Sequence, residues 1–159
     1  MTMTYDFQQQ LKFGKEMEDL LDIFFSKWYD IEEVSLADEK ERGIDRIFTA
    51  RGTKNTYTIE YKADSQSGRT GNFYIEADIV QSSGNVTQGW ARKTQADKVI
   101  YFAVPTAIYI LDAETITENM DIWCQHREVK AQNAGYYSVG YLVPVQEIID
   151  ICQPKVIHV

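Results

Sequence analysis

Thr56-Tyr-Thr-Ile-Glu-Tyr-Lys-Ala63 changes character residue by residue. Strand side chains point alternately to two faces, so Tyr57, Ile59 and Tyr61 share one face and Glu60 and Lys62 the other. The aromatic and aliphatic set predicts burial of the first face. The second face then carries a carboxylate and an ammonium side by side. Upstream, Gly43-Ile-Asp-Arg-Ile-Phe48 is another short apolar run, and it holds Asp45. Gly43 permits a tight entry to a strand over Ile44–Ala50. Arg51-Gly-Thr-Lys-Asn55, between the two runs, has the composition of a hairpin turn. Asp45 and Glu60 are therefore expected on neighbouring antiparallel strands.

Asp64–Asn72 reads as a polar, glycine-containing loop, and Phe73–Val80 as a third strand. Three strands in succession predict an antiparallel meander. A loop over Gln81–Asn85 and a short helix over Thr87–Ala96 follow. Asp97–Val104 is a continuous apolar run, the pattern of a strand covered on both faces. Ala107–Leu111 and Tyr136–Val143 read as further strands, Glu114 to about Val129 and Val145–Ile151 as helices, and Lys155–His158 as a short extension. Residues 30–43 are acidic and read as connective. The whole predicts an α+β fold in one domain spanning residues 1–159, with a central mixed sheet flanked by helices.

Ahead of these strands, residues 7–29 predict an amphipathic helix. At 100° per residue, Leu11, Phe13, Gly14, Met17, Leu20, Leu21, Phe24, Phe25 and Trp28 occupy one broad arc. Glu18 is the only charged residue within that arc. A desolvated carboxylate needs a partner, so Glu18 either bends out to solvent, pairs with an arginine or serves a site. Gly14 on the same arc predicts a close approach by another backbone.

Composition narrows the function classes. The net charge of −8 argues against a nonspecific nucleic-acid coat. Residues 51–104 form the only net-basic third, with 7 basic and 5 acidic side chains, and they include Glu60 and Lys62. No apolar run reaches the ~18 residues of a membrane span. The amino-terminal residues lack the features of a secretion signal, so a cytoplasmic protein is expected. Cys124 and Cys152 are far apart, without metal-type spacing, and read as reduced thiols. There is no phosphate-binding glycine loop and no GxSxG, and His126 and His158 stand isolated.

Two carboxylates on adjacent strands can share one divalent cation, with phosphate oxygens and waters completing its shell. The ion polarises a phosphate and acidifies a bound water. A lysine on the same face can hold that water, help deprotonate it or neutralise charge on phosphorus, and a bound cation would push its pKa down. A helix Glu, an Asp on the first strand, Glu-x-Lys on the second and a helix-strand-strand-strand-helix-strand order resemble the PD-(D/E)xK, or restriction-endonuclease-like, nuclease superfamily. The resemblance covers roughly residues 10–111. Ile44 stands where that motif often has proline.

A narrower likeness, to small phage and mobile-element members, rests on Glu60-Tyr-Lys-Ala-Asp64, Thr70-Gly-Asn72, Glu76, Gly89-Trp90 and Ala96-Asp97-Lys-Val-Ile-Tyr101. The superfamily resemblance implies Glu18, Asp45 and Glu60 as ligands of Mg²⁺ or Mn²⁺, with Lys62 catalytic. Glu76 is a candidate outer carboxylate, reached from the third strand. Arg69, Thr70, Asn72, Arg92 and Lys93 are candidate phosphate contacts in the basic third. Trp90 reads as a core anchor. The implied activity is phosphodiester hydrolysis with DNA as the expected substrate, and a homodimer would serve to cut both strands. Two alternatives stay open at this point: a catalytically silent nuclease-fold module that binds nucleic acid or protein, and an acidic phage-type interaction protein.

Overall fold

The computed structural model describes the backbone of residues 2–4 and 7–159, and the side chains of residues 12–39 and 41–159. In chain order the elements are β1 (Thr2–Thr4), α1 (Phe7–Phe25), β2 (Tyr29–Glu33), α2 (Leu36–Arg42), β3 (Arg46–Ala50), β4 (Thr56–Asp64), α3 (Ser67–Thr70), β5 (Asn72–Gln81) and β6 (Val86–Gln88). Then come α4 (Trp90–Lys93), β7 (Lys98–Ala103), β8 (Ala107–Asp112), α5 (Ala113–Glu118), α6 (Met120–Trp123), β9 (Arg127–Asn133), β10 (Tyr136–Pro144), α7 (Val145–Cys152) and β11 (Lys155–His158). The fold is α+β, as the sequence predicts, with two sheets among the described residues. A six-stranded mixed sheet has the order β11-β8-β7-β4-β3-β2, and a five-stranded one the order β1-β9-β10-β5-β6.

The alternation of β4 is realised as expected. Ile59 and Tyr61 are buried beneath α1, where Leu21 and Phe25 meet Phe48, Ile100 and Ile108. The opposite face of the six-stranded sheet packs Val99, Tyr101, Tyr109 and Leu111 against Phe73, Ile75 and Ala77 of β5 and against residues of α4 to α7. Phe73 stacks on Tyr101 with ring centroids 3.9 Å apart. No helix among the described residues is long and apolar enough to cross a membrane.

The expected three-strand meander is corrected. β3 and β4 pair antiparallel, but β5 does not join them; it pairs with β10 and β6 in the second sheet. The place beside β4 is taken by β7, running parallel, with Ile59–Asp64 opposite Lys98–Ala103. The continuous apolar run of β7 suits a strand covered on both faces, whereas β5 alternates between buried and half-buried residues. The short helix α3 turns the chain out of the first sheet. Asp64 fixes that turn by accepting from the backbone N–H groups of Gln66 (2.8 Å) and Ser67 (3.1 Å). The third meander strand is instead β2, antiparallel to β3.

Residues 30–43 are thus structured rather than connective. Within them α2 starts at Ser35, whose hydroxyl accepts from the Asp38 N–H, and ends at Gly43 in the left-handed region (φ 61°). The region expected as one helix over Thr87–Ala96 splits into β6 and the single turn α4. The helix expected from Glu114 to about Val129 ends at Trp123, and its tail is β9, with Val129 and Ala131 buried between exposed Glu128 and Lys130. The apolar arc of α1 is narrower than the wheel suggests: Leu20 is 51% and Trp28 52% exposed. α1 ends at Phe25, so Trp28 leaves the helical register and meets Phe24 edge-on. The Leu11 side chain lies outside the described residues. Among the described residues no backbone approaches Gly14; a Cβ built there meets none of them within 4 Å. Cys124 and Cys152 are free thiols.

Gly89 joins the two halves of the fold. Its N–H bonds the Ala77 carbonyl at 2.8 Å, and a Cβ built on it would lie 2.6 Å from the Glu76 carbonyl oxygen, which is backbone and cannot swing aside. Gly89→Ala is expected to cost about 1–3 kcal/mol. Thermal unfolding should register this as a fall in Tm of about 2–4 °C for each kcal/mol; an unchanged Tm would show that β5 and α4 can separate freely.

Candidate functional site

Asp45 lies at the entry to β3 and is held at two points by β4. Its N–H donates to the Ile59 carbonyl, and its Oδ2 accepts from the Tyr61 N–H, both at 2.8 Å. Arg46 turns the other way, under α1, and is only 4% exposed. Its guanidinium meets Asp22 at 3.2 Å and Glu33 at 3.6 Å, donates to the Asp45 carbonyl at 2.9 Å, and lies 5.4 Å above the Tyr61 ring. The Tyr61 hydroxyl also donates to Asp22, at 2.8 Å. This network fixes α1 against the hairpin, and Glu18, one turn before Asp22, is thereby carried to Asp45.

Glu18, Asp45 and Glu39 each present a carboxylate oxygen, all within 4.8 Å of one another. They share a pocket of about 450 Å³ with Gly14, Lys15, Leu21 and Lys62. The bare backbone of Gly14 leaves that wall open. Glu39, on exposed α2, is a member the sequence reading missed. The bracket of Ser35 and Gly43 around Leu36–Arg42 was the available signal for a helix there, but not for the direction of its exposed Glu39 carboxylate.

Glu60 does not line this pocket. It stands behind Lys62, 4% exposed, with Oε1 at 3.3 Å from the Lys62 ammonium. Among the described residues its Oε2 makes no hydrogen bond of good geometry; it lies toward Gly43 and Thr94, where the Thr94 hydroxyl donates to the Gly43 carbonyl at 3.2 Å yet still stands close enough to favour the Glu60 carboxylate. Of the four residues in the sequence motif, the structure therefore brings Glu18, Asp45 and Lys62 to one cavity and keeps Glu60 in the wall.

The electrostatics follow from this crowding. Burial raises the Glu18 pKa, and Asp45 and Glu39 raise it further against Arg46 and Lys15. Burial also raises that of Glu60, with Lys62 and the Thr94 hydroxyl pulling it back and Asp45 adding to the rise. For Lys62, burial acts to lower the pKa, but Glu60, Glu76 and Asp45 outweigh it, so the ammonium is raised above its ordinary value. A cation would act in the opposite sense on that lysine.

Lys62 also lines a second cavity, a cleft of about 470 Å³ between the end of β4 and the five-stranded sheet. Arg69, Thr70 and Asn72 line it too. Arg92 and Lys93 line neither cavity. The Arg92 side chain is turned to Asp78 at 3.4 Å, so its charge is engaged within the fold. Glu76 reaches the Lys62 neighbourhood from across the cleft rather than from an adjoining strand, and its Oε1 accepts the Trp90 N–H at 3.3 Å. Trp90 is 6% exposed and anchors the core as expected, with the Lys62 ammonium 5.6 Å from its ring. His126 sits against Glu147 and His158 is on β11, both outside these cavities.

Comparison of the chain with protein-family models, with curated proteins and with solved structures gives no match.

A raised carboxylate pKa has a definite sign in stability. The folded state holds the proton more tightly than the unfolded chain, so stability falls as pH rises from the ordinary carboxylate range through the folded pKa of Glu18. Glu18→Gln removes that loss. It should raise Tm by about 2 °C at pH 7, the equivalent of about 0.5–1 kcal/mol, and leave Tm nearly unchanged at pH 4. Calorimetry at the two pH values checks this; destabilisation at pH 7 would mean that Glu18 is paired favourably.

Proposed function

We propose that the chain is a metal-dependent nuclease with a restriction-endonuclease-like core, hydrolysing phosphodiesters with DNA as the expected substrate. The observation that carries this is the acidic pocket: carboxylates from α1, α2 and the entry to β3 meet within 4.8 Å, beside a lysine on β4. Carboxylates at this spacing repel unless a proton or cation lies between them. The donor set is all oxygen, which suits hard ions such as Mg²⁺ or Mn²⁺. Glu60 stays in the wall behind Lys62 and supports that lysine rather than joining the donor set.

The strand order supports the same reading. α1, the antiparallel set β2-β3-β4, α4 and then β7 parallel to β4 give the helix-strand-strand-strand-helix-strand order of the PD-(D/E)xK resemblance once α2, between β2 and β3, and the α3-β5-β6 excursion, between β4 and α4, are set aside; the third antiparallel strand is β2, on the β3 side and ahead of Asp45 in the chain.

Glu18, Asp45 and Glu39 would hold the ion, with Glu60 in the wall behind Lys62. The bound ion would polarise the phosphate and acidify a water. The chain's own part is positioning. Tyr61 N–H fixes the Asp45 carboxylate. Glu60 holds the Lys62 ammonium from behind, directing it to where the pocket and the cleft join. There a charged ammonium can donate to a phosphate oxygen or to an attacking water. Arg69, Thr70 and Asn72, which line the cleft, would contact the adjoining backbone. Cutting both strands of a duplex would take two copies of the chain.

The test is incubation with supercoiled plasmid, forked and four-way-junction DNA and single-stranded RNA, with Mg²⁺, with Mn²⁺ and with EDTA. Metal-dependent cutting is expected, lowered by at least about 100-fold in Asp45→Ala and Lys62→Ala. Glu39→Gln should weaken the Mg²⁺ dependence by about tenfold or more. Asp45→Ala cutting at the wild-type rate, or no cutting of any substrate, would rule the reading out.

A further inference from the structure

Lys62 and Ala63 line two cavities at once, the acidic pocket and the cleft facing the second sheet. The pocket is acidic, whereas the cleft offers Lys62, Arg69 and Arg127 against Asp64 and Glu76. Both of those carboxylates are occupied within the fold. Asp64 accepts from the Gln66 and Ser67 N–H groups and the Tyr101 hydroxyl, and Glu76 accepts from the Trp90 N–H. Exposed Arg69, which also donates to the Gln66 side-chain carbonyl at 2.6 Å, lines the cleft together with Asn72 and Asn133.

Size limits what can enter. The cleft's 470 Å³ equals a cube about 8 Å on a side, while the major groove of a duplex alone is about 12 Å wide. A double helix cannot lie in it, but one strand can. Amides present a donor and an acceptor together, which matches the exposed edge of an unpaired base. A guanidinium one nucleotide away matches the backbone phosphate.

We infer that this cleft binds single-stranded nucleic acid and leads its backbone to Lys62, so that the substrate is a single strand or an unpaired end rather than continuous duplex. The inference rests on the nuclease reading for what happens at Lys62, but binding in the cleft can be measured without catalysis. Few phosphates are engaged, which agrees with a chain whose net charge is −8. With Lys62 and Arg69 as the two cationic contacts, log affinity should fall with log salt at a slope of only about 1.4.

Fluorescence anisotropy in EDTA, with labelled oligo-dT and oligo-rU of about 15 nucleotides and a duplex of the same length, decides the matter. A single strand is expected to bind at least about tenfold more tightly than duplex, and the dT and rU arms show which sugar is preferred. Arg69→Ala and Asn133→Ala should each weaken single-strand binding by about 5–10-fold. Equal or tighter duplex binding, no binding to either strand form, or single-strand affinity unchanged in the Arg69→Ala, Asn133→Ala double variant would overturn the inference. A single-strand preference without metal-dependent cutting would remove the nuclease reading alone. Metal-dependent cutting without that preference would remove the cleft alone.

Discussion

The buried guanidinium of Arg46 is the constraint on which the arrangement of the site depends. At 4% exposure a charge must be paired, or it costs several kcal/mol. Arg46 meets that demand by joining Asp22 of α1, Glu33 of β2, the Asp45 carbonyl and the Tyr61 ring of β4. Apolar contacts of Leu21 and Phe25 hold α1 on the sheet, but such contacts are non-directional and fix neither its rotation nor its sliding. The ionic and hydrogen-bonded contacts fix both. With Asp22 held, Glu18 one turn earlier has to fall over the entry to β3, where Asp45 waits. The acidic pocket thus follows from one arginine's need for partners.

Much of that was legible in the sequence. The alternation of Thr56–Ala63 set Glu60 and Lys62 on one face, because period two is a local property of the backbone. Glu18 stood out because one charge lay on an apolar arc. What periodicity does not contain is which strands pair. Phe73–Val80 reads correctly as a strand, yet its sheet is decided by the α3 turn and by competition with β7 for the side of β4, and both are non-local. β2 escaped notice because five residues, Tyr29–Glu33, carry too little alternation to stand out beside an amphipathic helix and an acidic run. Glu39 escaped because it lies on the polar face of a seven-residue helix, where no hydrophobic signal marks its direction. Burial of Glu60 behind Lys62, instead of at the pocket surface, depends on Thr94 and Gly43, which no local pattern connects to it.

Local rules are broken in one place and kept around it. Three carboxylates converge, a fourth is buried with one oxygen unpaired, and burial raises the pKa of Glu18 and of Glu60. A few residues away, Asp22 and Arg46 satisfy each other, and Asp64 is fully bonded. Such a contrast around one hairpin is what a site where stability is given up for function would show. The carboxylates gather beside the middle of β4, where Asp45 bonds Ile59 and Tyr61.

Lys62 limits the chemistry this site can perform. Three carboxylates act on it: Glu60 in contact from behind, Asp45 beside the pocket and Glu76 from across the cleft. Together they outweigh burial and keep the ammonium charged. Held this way, Lys62 cannot remove a proton at neutral pH; it can only donate hydrogen bonds and supply positive charge. A role in deprotonating water would require a cation in the pocket to neutralise those carboxylates, after which burial would dominate and its pKa would fall. On that reading the same lysine would have two states, one with a cation in the pocket next to it and one without. In both it faces the cleft, so it connects the acidic pocket with the chain that the cleft would carry.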